Sequence, residues 1–384
     1  MIKTSATGVD LDLLRSALAG RRNPFRPGFG CPPLCLAGRD DVIGSFSDAL
    51  RDGSIPGGAS CVITGTRGVG KTVLVNMMAD ICRLCGFDVF SYSSHNRTLD
   101  DFVLDIRSRL LGSDADDIPL DHLLASVCDM SGRGVVVIID EVDCYFTDEL
   151  IPIVEACRSV LATGRNVCLV MSGLPWLVRD FERLPGASSL LGMRHVRLSS
   201  LNQSDSLYAI AGACSADGGI SIDDEFAMRL ARVSCGYPFA IQLLGSMAWR
   251  NANRDGRSAI SKSDCDLAIS AAYRSIAPHV LDVAFSDMDN IELKITRDAA
   301  LLAGQSTDGI IPVPLLEKQA DCSYRCVERL IDDGILTIAG NEKHGDVRFS
   351  LPYMTEYVMN NIEFIDDAIS TGKEHPLTDF VGNY

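Results

Sequence analysis

A glycine-rich stretch, GTRGVGKT at residues 65–72, contains the residues whose types and spacing point most directly to chemistry. Its pattern, G-x-x-x-x-G-K-[ST], is that of a loop that binds phosphate through its backbone. Glycines let successive amides turn inward around an anion, and a following helix adds the positive end of its dipole. We therefore expect a nucleotide phosphate to be bound by this phosphate loop, which consists of Gly65, Thr66, Arg67, Gly68, Val69, Gly70, Lys71 and Thr72.

Two side chains of the phosphate loop have separate predicted roles. Lys71 is placed to reach the β- and γ-phosphates of a nucleotide, and the hydroxyl of Thr72 is placed to bind Mg²⁺. The alternative is a solvent-exposed glycine turn without a ligand. Because the pattern arises by chance in only about 1% of chains of this length, phosphate binding is the favoured interpretation.

A second group of polar residues follows the apolar segment GVVVII at residues 134–139. Its five consecutive β-branched residues predict a strand buried on both faces of a parallel sheet, with Asp140 and Glu141 at the carboxyl end. Asp140 is placed to hold Mg²⁺, and Glu141 is placed to orient and deprotonate an attacking water. The alternative is a charged turn after a core strand. Two acids at this edge predict ATP hydrolysis as well as binding.

Strands and helices around these groups must position them. The segment SCVIT at residues 60–64 predicts a buried strand, and apolar residues at helical spacing from Val73 to Gly86 predict a helix. The phosphate loop would then connect a strand to a helix. Further strands of the same sheet are predicted at residues 87–93, 167–172 and 194–198.

Two of these further strands contribute candidate site residues. Ser172 ends its strand, where its hydroxyl could hydrogen-bond the attacking water or the γ-phosphate, although a serine that merely ends a strand is an equally simple explanation. Arg194 begins the last strand of the predicted sheet. It is a candidate for an arginine that stabilises the transferred phosphate, with an ordinary strand-flanking arginine as the alternative.

Composition and charge limit the classes of protein. At 384 residues the chain is long enough for two or three domains, and its hydrophobic content of 47% is typical of a globular protein. The net charge of −16 means that a nucleic acid would have to contact a local basic patch. We expect the fourteen cysteines to be reduced packing residues. Without a secretory signal or a bilayer-length apolar run, a cytoplasmic location and no membrane partner are expected.

The second half of the chain is predicted to be mostly helical. Helix caps at Asn202, Asp223 and Ser261 indicate a small helical lid over the nucleotide. Three helices and a hairpin then follow, which resembles a winged-helix domain, whose third helix would contact DNA. Residues 290–360, however, carry seven basic and eleven acidic side chains, a net charge of −4. A protein-docking or autoinhibitory role is therefore the favoured alternative to DNA contact.

These motifs together resemble the AAA+ superfamily, near its initiator (origin-recognition) and STAND-type groups. The resemblance implies that Gly38 and Arg39 lie near the adenine, and that Ser172 is the first sensor. The second-sensor arginine of many AAA+ proteins is absent, and a pattern similar to the G-x-P motif of STAND-type proteins brings Pro238 to the nucleotide instead. Assembly into a homo-oligomer is also an implication of the resemblance alone. The segments that carry it are NPFRPGFGCPPLCLAGRDDVI, GTRGVGKT, IIDEVD, MSGLP and CGYPFAIQLLG.

Two functional hypotheses follow from the sequence. The first is an Mg²⁺-dependent ATPase that binds ATP and ADP and couples nucleotide state to movement of the lid and winged-helix units. The second is a regulatory switch or DNA-binding adaptor that holds nucleotide with negligible turnover. The predicted fold is an α/β P-loop parallel-sheet sandwich with a helical lid and a C-terminal winged-helix domain. Its predicted parts are an N-terminal segment at 1–56, the ATPase core at 57–200, the lid at 201–286, the winged-helix domain at 287–362 and a tail at 363–384.

Overall fold

The fold was obtained as a computed structural model of the whole chain. In the part of the chain that it describes, no helix has the length and apolar character needed to span a membrane. The cysteines within this part are free thiols, and most of those in the sheet and the lid are buried. The structure describes residues 21–28, 30–51, 59–93, 98–110, 118–142, 147–175, 177–178, 193–217, 219–286, 288–339 and 345–371.

A five-stranded parallel sheet forms the centre of the first half of the chain. The strands lie in the order β2-β3-β4-β1-β5. The strand β1 therefore has a neighbour on each side, and its carboxyl end lies between those of β4 and β5. Each predicted strand is present, and three of the five, at 61–64, 135–142 and 167–173, consist mostly of β-branched or apolar residues. The strands are β1 Cys61–Thr64, β2 Asp88–Ser93, β3 Val135–Val142, β4 Val167–Gly173 and β5 Arg194–Arg197.

Helices cover both faces of this sheet and bury them in separate cores. Side chains of β3 alternate between the two, with Val136 and Ile138 in one core and Val135, Val137 and Ile139 in the other. This alternation is the period of two expected for a strand that is buried on both sides. The helices in this half are α1 Asp40–Arg51, α2 Lys71–Leu84, α3 Leu99–Arg109, α4 Leu120–Met130 and α5 Thr147–Ala162.

The predicted lid is helical, with one short pair of parallel strands. Ser261 and Asp264 form a reciprocal capping box that begins the last lid helix, and Pro238 occupies the first turn of another. A five-residue π-helical turn, Ala277–Leu281, continues the last helix towards the C-terminal unit. The elements are α6 Gln203–Asp217, β6 Ser221–Ile222, α7 Asp224–Val233, α8 Pro238–Arg254, β7 Ala259–Ile260, α9 Lys262–Ile276 and α10 Asp282–Ser286.

The C-terminal unit contains the predicted succession of three helices and an antiparallel hairpin. Its buried residues are continuous with those of the lid, so the two share one hydrophobic core. The hairpin tip at residues 340–344 lies outside the described residues. The elements are α11 Asn290–Gln305, α12 Val313–Ala320, α13 Tyr324–Asp332, β8 Leu336–Ile338, β9 Val347–Phe349, α14 Met354–Asn360 and α15 Ile362–Thr371.

The predicted tail at 363–384 begins with a helical segment in the structure. Residues 363–371 belong to α15, and Ile365 and Ala368 are buried in the shared core of the lid and C-terminal unit. The spacing of these two apolar residues puts them on one face of a helix, which packs against α11.

Candidate nucleotide-binding site

The phosphate loop connects β1 to α2 at the open carboxyl edge of the sheet. Gly68 and Gly70 have φ angles of +74° and +98°, in the left-handed region that favours glycine. Gly70 is the N-cap of α2, and no side chain caps this described helix end. The backbone therefore presents first-turn amides and the positive end of the helix dipole in the arrangement that binds anions.

Lys71 extends from the first turn of α2 into the loop. Its ammonium donates to the carbonyl oxygens of Gly65 at 2.7 Å and Thr66 at 3.0 Å. Burial lowers the pKa of Lys71 to about 8, although the charges of Asp140 and Glu141 act in the opposite direction. The structure thus brings the predicted phosphate-binding cation within the field of both predicted acids.

The acidic pair lies on a bulge in β3. The pairing of β3 with β4 shifts between Ile139 and Val142, and Glu141 has a φ of +58°. The strand therefore continues past the acids to Val142, whereas the sequence predicted that it would end at them. A bulge changes the direction in which a side chain points, and Glu141 is exposed in the cavity beside the phosphate loop.

Hydrogen bonds hold the Asp140 carboxylate in place. The hydroxyl of Ser172 on the neighbouring strand β4 donates to Asp140 Oδ1, and the amide of Glu141 donates to the same oxygen at 3.0 Å. Ser172 is completely buried, so its hydroxyl is directed by this bond. The hydroxyl of Ser93 on β2 donates to Glu141 Oε2 at 3.5 Å. Strands β2, β3 and β4 thus converge on the predicted acids.

A cavity of about 480 Å³ lies along the phosphate loop. Arg39 and Pro238, which the resemblance implies to lie near a nucleotide, both line this cavity. Gly38 does not line it but allows the chain to pass Asp205, whose Oδ2 would lie 2.6 Å from a Cβ at this position. The predicted site residues along the cavity wall are Arg67, Gly68, Val69, Gly70, Lys71, Thr72 and Glu141.

Arg39 also braces the loop. Its guanidinium donates to the carbonyls of Val69 at 3.2 Å and Ser199 at 2.9 Å, and so joins the phosphate loop to the chain after β5. Burial lowers the pKa of Arg39, and the charge of Asp205 partly opposes this.

Arg194 is not brought together with the other candidates. It pairs with Cys61 at the amino end of β1, whereas the phosphate loop follows Thr64 at the carboxyl end. A four-residue strand is about 13 Å long, so the side chain starts from the opposite edge of the sheet. Arg194 is exposed and donates to the Ser45 hydroxyl at 3.4 Å.

Two contacts of the phosphate loop and its neighbours were not predicted. The hydroxyl of Tyr237 donates to the carbonyl of Arg67. Arg197, at the carboxyl end of β5, donates to Asp332 Oδ1 at 2.6 Å and to the carbonyl of Ile331, both on α13. The sequence offers a signal only for Tyr237, since a tyrosine in an apolar helix start needs a polar partner.

This chain is similar to known proteins in sequence over one segment and in fold over most of its length. Residues 56–180 match the family model described as AAA domain, which covers the phosphate loop, the acidic pair and Ser172. Among curated proteins, none matches this sequence. The structure of the Aeropyrum pernix ORC2 protein in ADPNP-ADP complexes is similar over 89% of this chain and 96% of that chain, with a TM-score of 0.60 and 16% identity.

Two further archaeal structures are similar over most of their length. Cdc6p from Pyrobaculum aerophilum matches 88% of this chain and 97% of its own, at 14% identity and a TM-score of 0.48. The Aeropyrum pernix ORC1 protein in complex with DNA matches 88% of this chain and 94% of its own, at 15% identity and a TM-score of 0.46.

Residues 56–180 therefore form an AAA domain of the P-loop type. Over most of its length, the chain shares the fold of the Aeropyrum pernix ORC2 protein.

Proposed function

We propose that this chain binds ATP and ADP with Mg²⁺ at the phosphate loop and hydrolyses ATP. The observation that carries the proposal is the convergence of Lys71, Ser172 and the acidic pair Asp140–Glu141 around one strand edge. The ORC2 structure of similar fold was determined with ADPNP and ADP, which supports an adenine nucleotide as the ligand.

The donor set at this edge fits Mg²⁺. Thr72, in the first turn of α2, lines the cavity, and Asp140 lies on β3, which is separated from β1 by β4. A hydroxyl and a carboxylate are hard oxygen donors, which Mg²⁺ prefers. Two protein ligands are enough, because this ion keeps several waters and nucleotide oxygens as its other ligands. When bound, Mg²⁺ would neutralise charge on the β- and γ-phosphate oxygens.

The chain's own residues divide the work of hydrolysis. The amides of the phosphate loop and the ammonium of Lys71 bind and orient the β- and γ-phosphates. Glu141 orients a water and accepts its proton as the water attacks the γ-phosphorus, while the bond from this phosphorus to the β,γ-bridging oxygen breaks and ADP leaves. Ser172 and the Glu141 amide hold Asp140 by hydrogen bonds to Oδ1, and the carboxylate would be a ligand for Mg²⁺. Arg39 and Pro238 support the adenosine part of the cavity.

The proposal for the C-terminal unit rests on its contacts with the ATPase core. We propose that it is a winged-helix domain whose third helix, α13, contacts the ATPase core and reports nucleotide state. Arg197 is bonded to α13, and a Cβ at Gly334 would lie 2.7 Å from Thr66 Cγ2 of the phosphate loop. Arg329 of α13 pairs with Asp289 at 3.1 Å and Glu292 at 2.8 Å, which neutralises a charge that DNA contact would use.

The proposed role of Arg194 concerns the nucleotide of a neighbouring chain. Because it starts from the edge of the sheet opposite its own phosphate loop, it could stabilise a transferred phosphate only in an adjacent copy of the chain. This role therefore depends on assembly into a homo-oligomer.

The test is phosphate release from MgATP by the wild-type protein and by Glu141→Gln. The variant should bind MgATP as tightly as wild type but release phosphate at least about 100-fold more slowly, because it lacks the proton acceptor. Equal rates would remove Glu141 from its role. Wild-type protein that binds ATP without releasing phosphate would support the regulatory switch, which the missing second-sensor arginine favours.

A further inference from the structure

Tyr237 lies where the lid meets the phosphate loop. It directly precedes α8, and its side chain is completely buried. Its hydroxyl donates to the carbonyl oxygen of Arg67, at the tip of the loop, across 170 positions of sequence. Burial raises the pKa of the phenol, so the hydroxyl stays a neutral donor at physiological pH. The lid and the loop are therefore joined by one defined hydrogen bond.

The backbone on the loop side of this bond is adapted to the hydroxyl. Gly68 has a φ of +74°, and a Cβ there would lie 2.5 Å from the Tyr237 hydroxyl and 3.2 Å from Phe239 Cβ. Any larger residue would displace the tyrosine from the loop. Position 68 must therefore be glycine for Tyr237 to approach the loop, independently of any contact between this residue and a nucleotide.

The backbone on the lid side is also fixed. The amide of Leu201 donates to the carbonyl of Gly236 at 2.7 Å, and a Cβ at Gly236 would lie 2.0 Å from the Leu201 carbonyl oxygen. Leu201 lies four residues beyond the end of β5. Tyr237 is therefore anchored to the start of the lid through its neighbour Gly236, and can transmit the position of the lid to the loop.

The peptide geometry of the loop gives this bond a consequence for phosphate binding. The carbonyl of Arg67 and the amide of Gly68 belong to one planar trans peptide, so they point in opposite directions. Holding the carbonyl towards Tyr237 directs the Gly68 amide to the other side. Gly68 lines the cavity beside the phosphate loop, and its amide is one of the groups expected to bind phosphate.

We propose that Tyr237 is a positioning residue for the nucleotide, whose hydroxyl keeps the Arg67–Gly68 peptide oriented for phosphate binding and couples this orientation to the lid. The inference rests on the proposed nucleotide binding and deepens it. In many AAA+ proteins an arginine connects the lid to the phosphates directly, but this chain has no arginine in the segment GYPF at 236–239. Here the connection runs from the lid to the loop backbone, and the backbone binds the phosphate.

The test compares two tyrosines that differ in location but not in chemistry. Tyr237→Phe removes only the hydroxyl that reaches Arg67. Tyr357→Phe is the matched control, because Tyr357 is equally buried and its hydroxyl donates to Asp282 Oδ1 at 2.6 Å in the C-terminal half. Binding and dissociation of fluorescently labelled ADP with Mg²⁺ are measured for wild type and both variants, and melting temperatures are measured without nucleotide.

Tyr237→Phe should bind labelled MgADP about tenfold more weakly and release it faster, because one neutral hydrogen bond that orients a ligand-binding peptide is lost. Tyr357→Phe should bind and release nucleotide as wild type does, even if both variants lower the melting temperature equally. The dissociation rate reports only on folded, loaded molecules, so partial misfolding does not affect it.

Two results would contradict the inference in different ways. Unchanged MgADP dissociation in Tyr237→Phe would make this tyrosine a packing residue only, and equal acceleration in both variants would make the effect one of general stability. If wild type itself bound no labelled ADP, the proposed function would fail, and the role of Tyr237 would fail with it.

Discussion

The pKa of Lys71 predicts that nucleotide affinity depends on pH in a range where few other groups titrate. Burial lowers this pKa from its ordinary value of 10.5 to about 8. Phosphate binding requires the charged ammonium, since it is the charge that attracts the β- and γ-phosphates. As the pH rises through 8, the free protein loses this proton, and binding must take it up again. Affinity for MgADP and MgATP should therefore fall.

The size of the effect follows from the fraction of Lys71 that is charged. With a pKa of about 8 this fraction is roughly nine-tenths at pH 7 and one-tenth at pH 9, so the dissociation constant should rise about tenfold, which corresponds to roughly 1.4 kcal/mol. The nucleotide phosphates are already fully ionised above pH 8. Burial raises the pKa of Cys61 in β1 to about 12 and also raises that of Tyr237, so neither group contributes in this range.

Calorimetric titration of MgADP at pH 7, 8 and 9 measures the effect. Lys71→Arg is the control, because a guanidinium stays charged across this range and should give weaker binding that no longer changes with pH. Above pH 8 the wild-type titration should also take up a proton, which makes the observed heat depend on the ionisation enthalpy of the buffer. A wild-type affinity that is constant from pH 7 to 9, or an equal pH dependence in Lys71→Arg, would refute the reasoning.

Two further predictions concern contacts of the phosphate loop and of the C-terminal unit. Gly68→Ala should weaken MgADP binding by more than tenfold in a fluorescence titration, because its Cβ would meet the Tyr237 hydroxyl at a positive φ; unchanged affinity would contradict this. Arg197→Ala should leave the melting temperature within about 4 °C of wild type, since its ion pair with Asp332 is partly exposed. Amide exchange in α13 should nevertheless become faster in Arg197→Ala, and unchanged exchange would show that this contact does not hold the helix.

The parts of the fold that could be predicted are those set by local pattern. The β-branched run at Val135–Ile139 favours a buried strand, and the glycines before Lys71 favour a tight loop between a strand and a helix, and both are present. The cap at Ser261 and the proline at 238 predicted the starts of two lid helices, and both signals depend only on neighbouring residues. Such signals act over a few residues and need no knowledge of the rest of the chain.

The site residues that were missed depend on contacts between distant segments. Tyr237 and Arg67 are brought together only when the lid packs on the loop, and Arg197 meets Asp332 only through docking of the C-terminal unit. The bulge at Glu141 is a property of how β3 pairs with β4, which a single strand does not encode. No short sequence motif predicts these contacts.

The position of Arg194 follows from the topology of the sheet. Once the last strand is assigned to a parallel sheet, its first residue must lie at the edge opposite the carboxyl ends. The sequence therefore already implied that Arg194 starts far from its own phosphate loop. The helix α15 was missed because its apolar face is narrow, with Ile365 and Ala368 as its buried residues.

The central claim is that the amides of residues 65–72 bind a nucleotide phosphate together with Lys71. Calorimetric titration of MgATP into wild-type protein and Lys71→Ala at pH 7 tests it most directly. We expect saturable binding to wild type with one nucleotide per chain, and no measurable heat for a Lys71→Ala variant that keeps the wild-type circular dichroism spectrum. Equal binding by the two proteins, or no binding by either at millimolar MgATP, would contradict it.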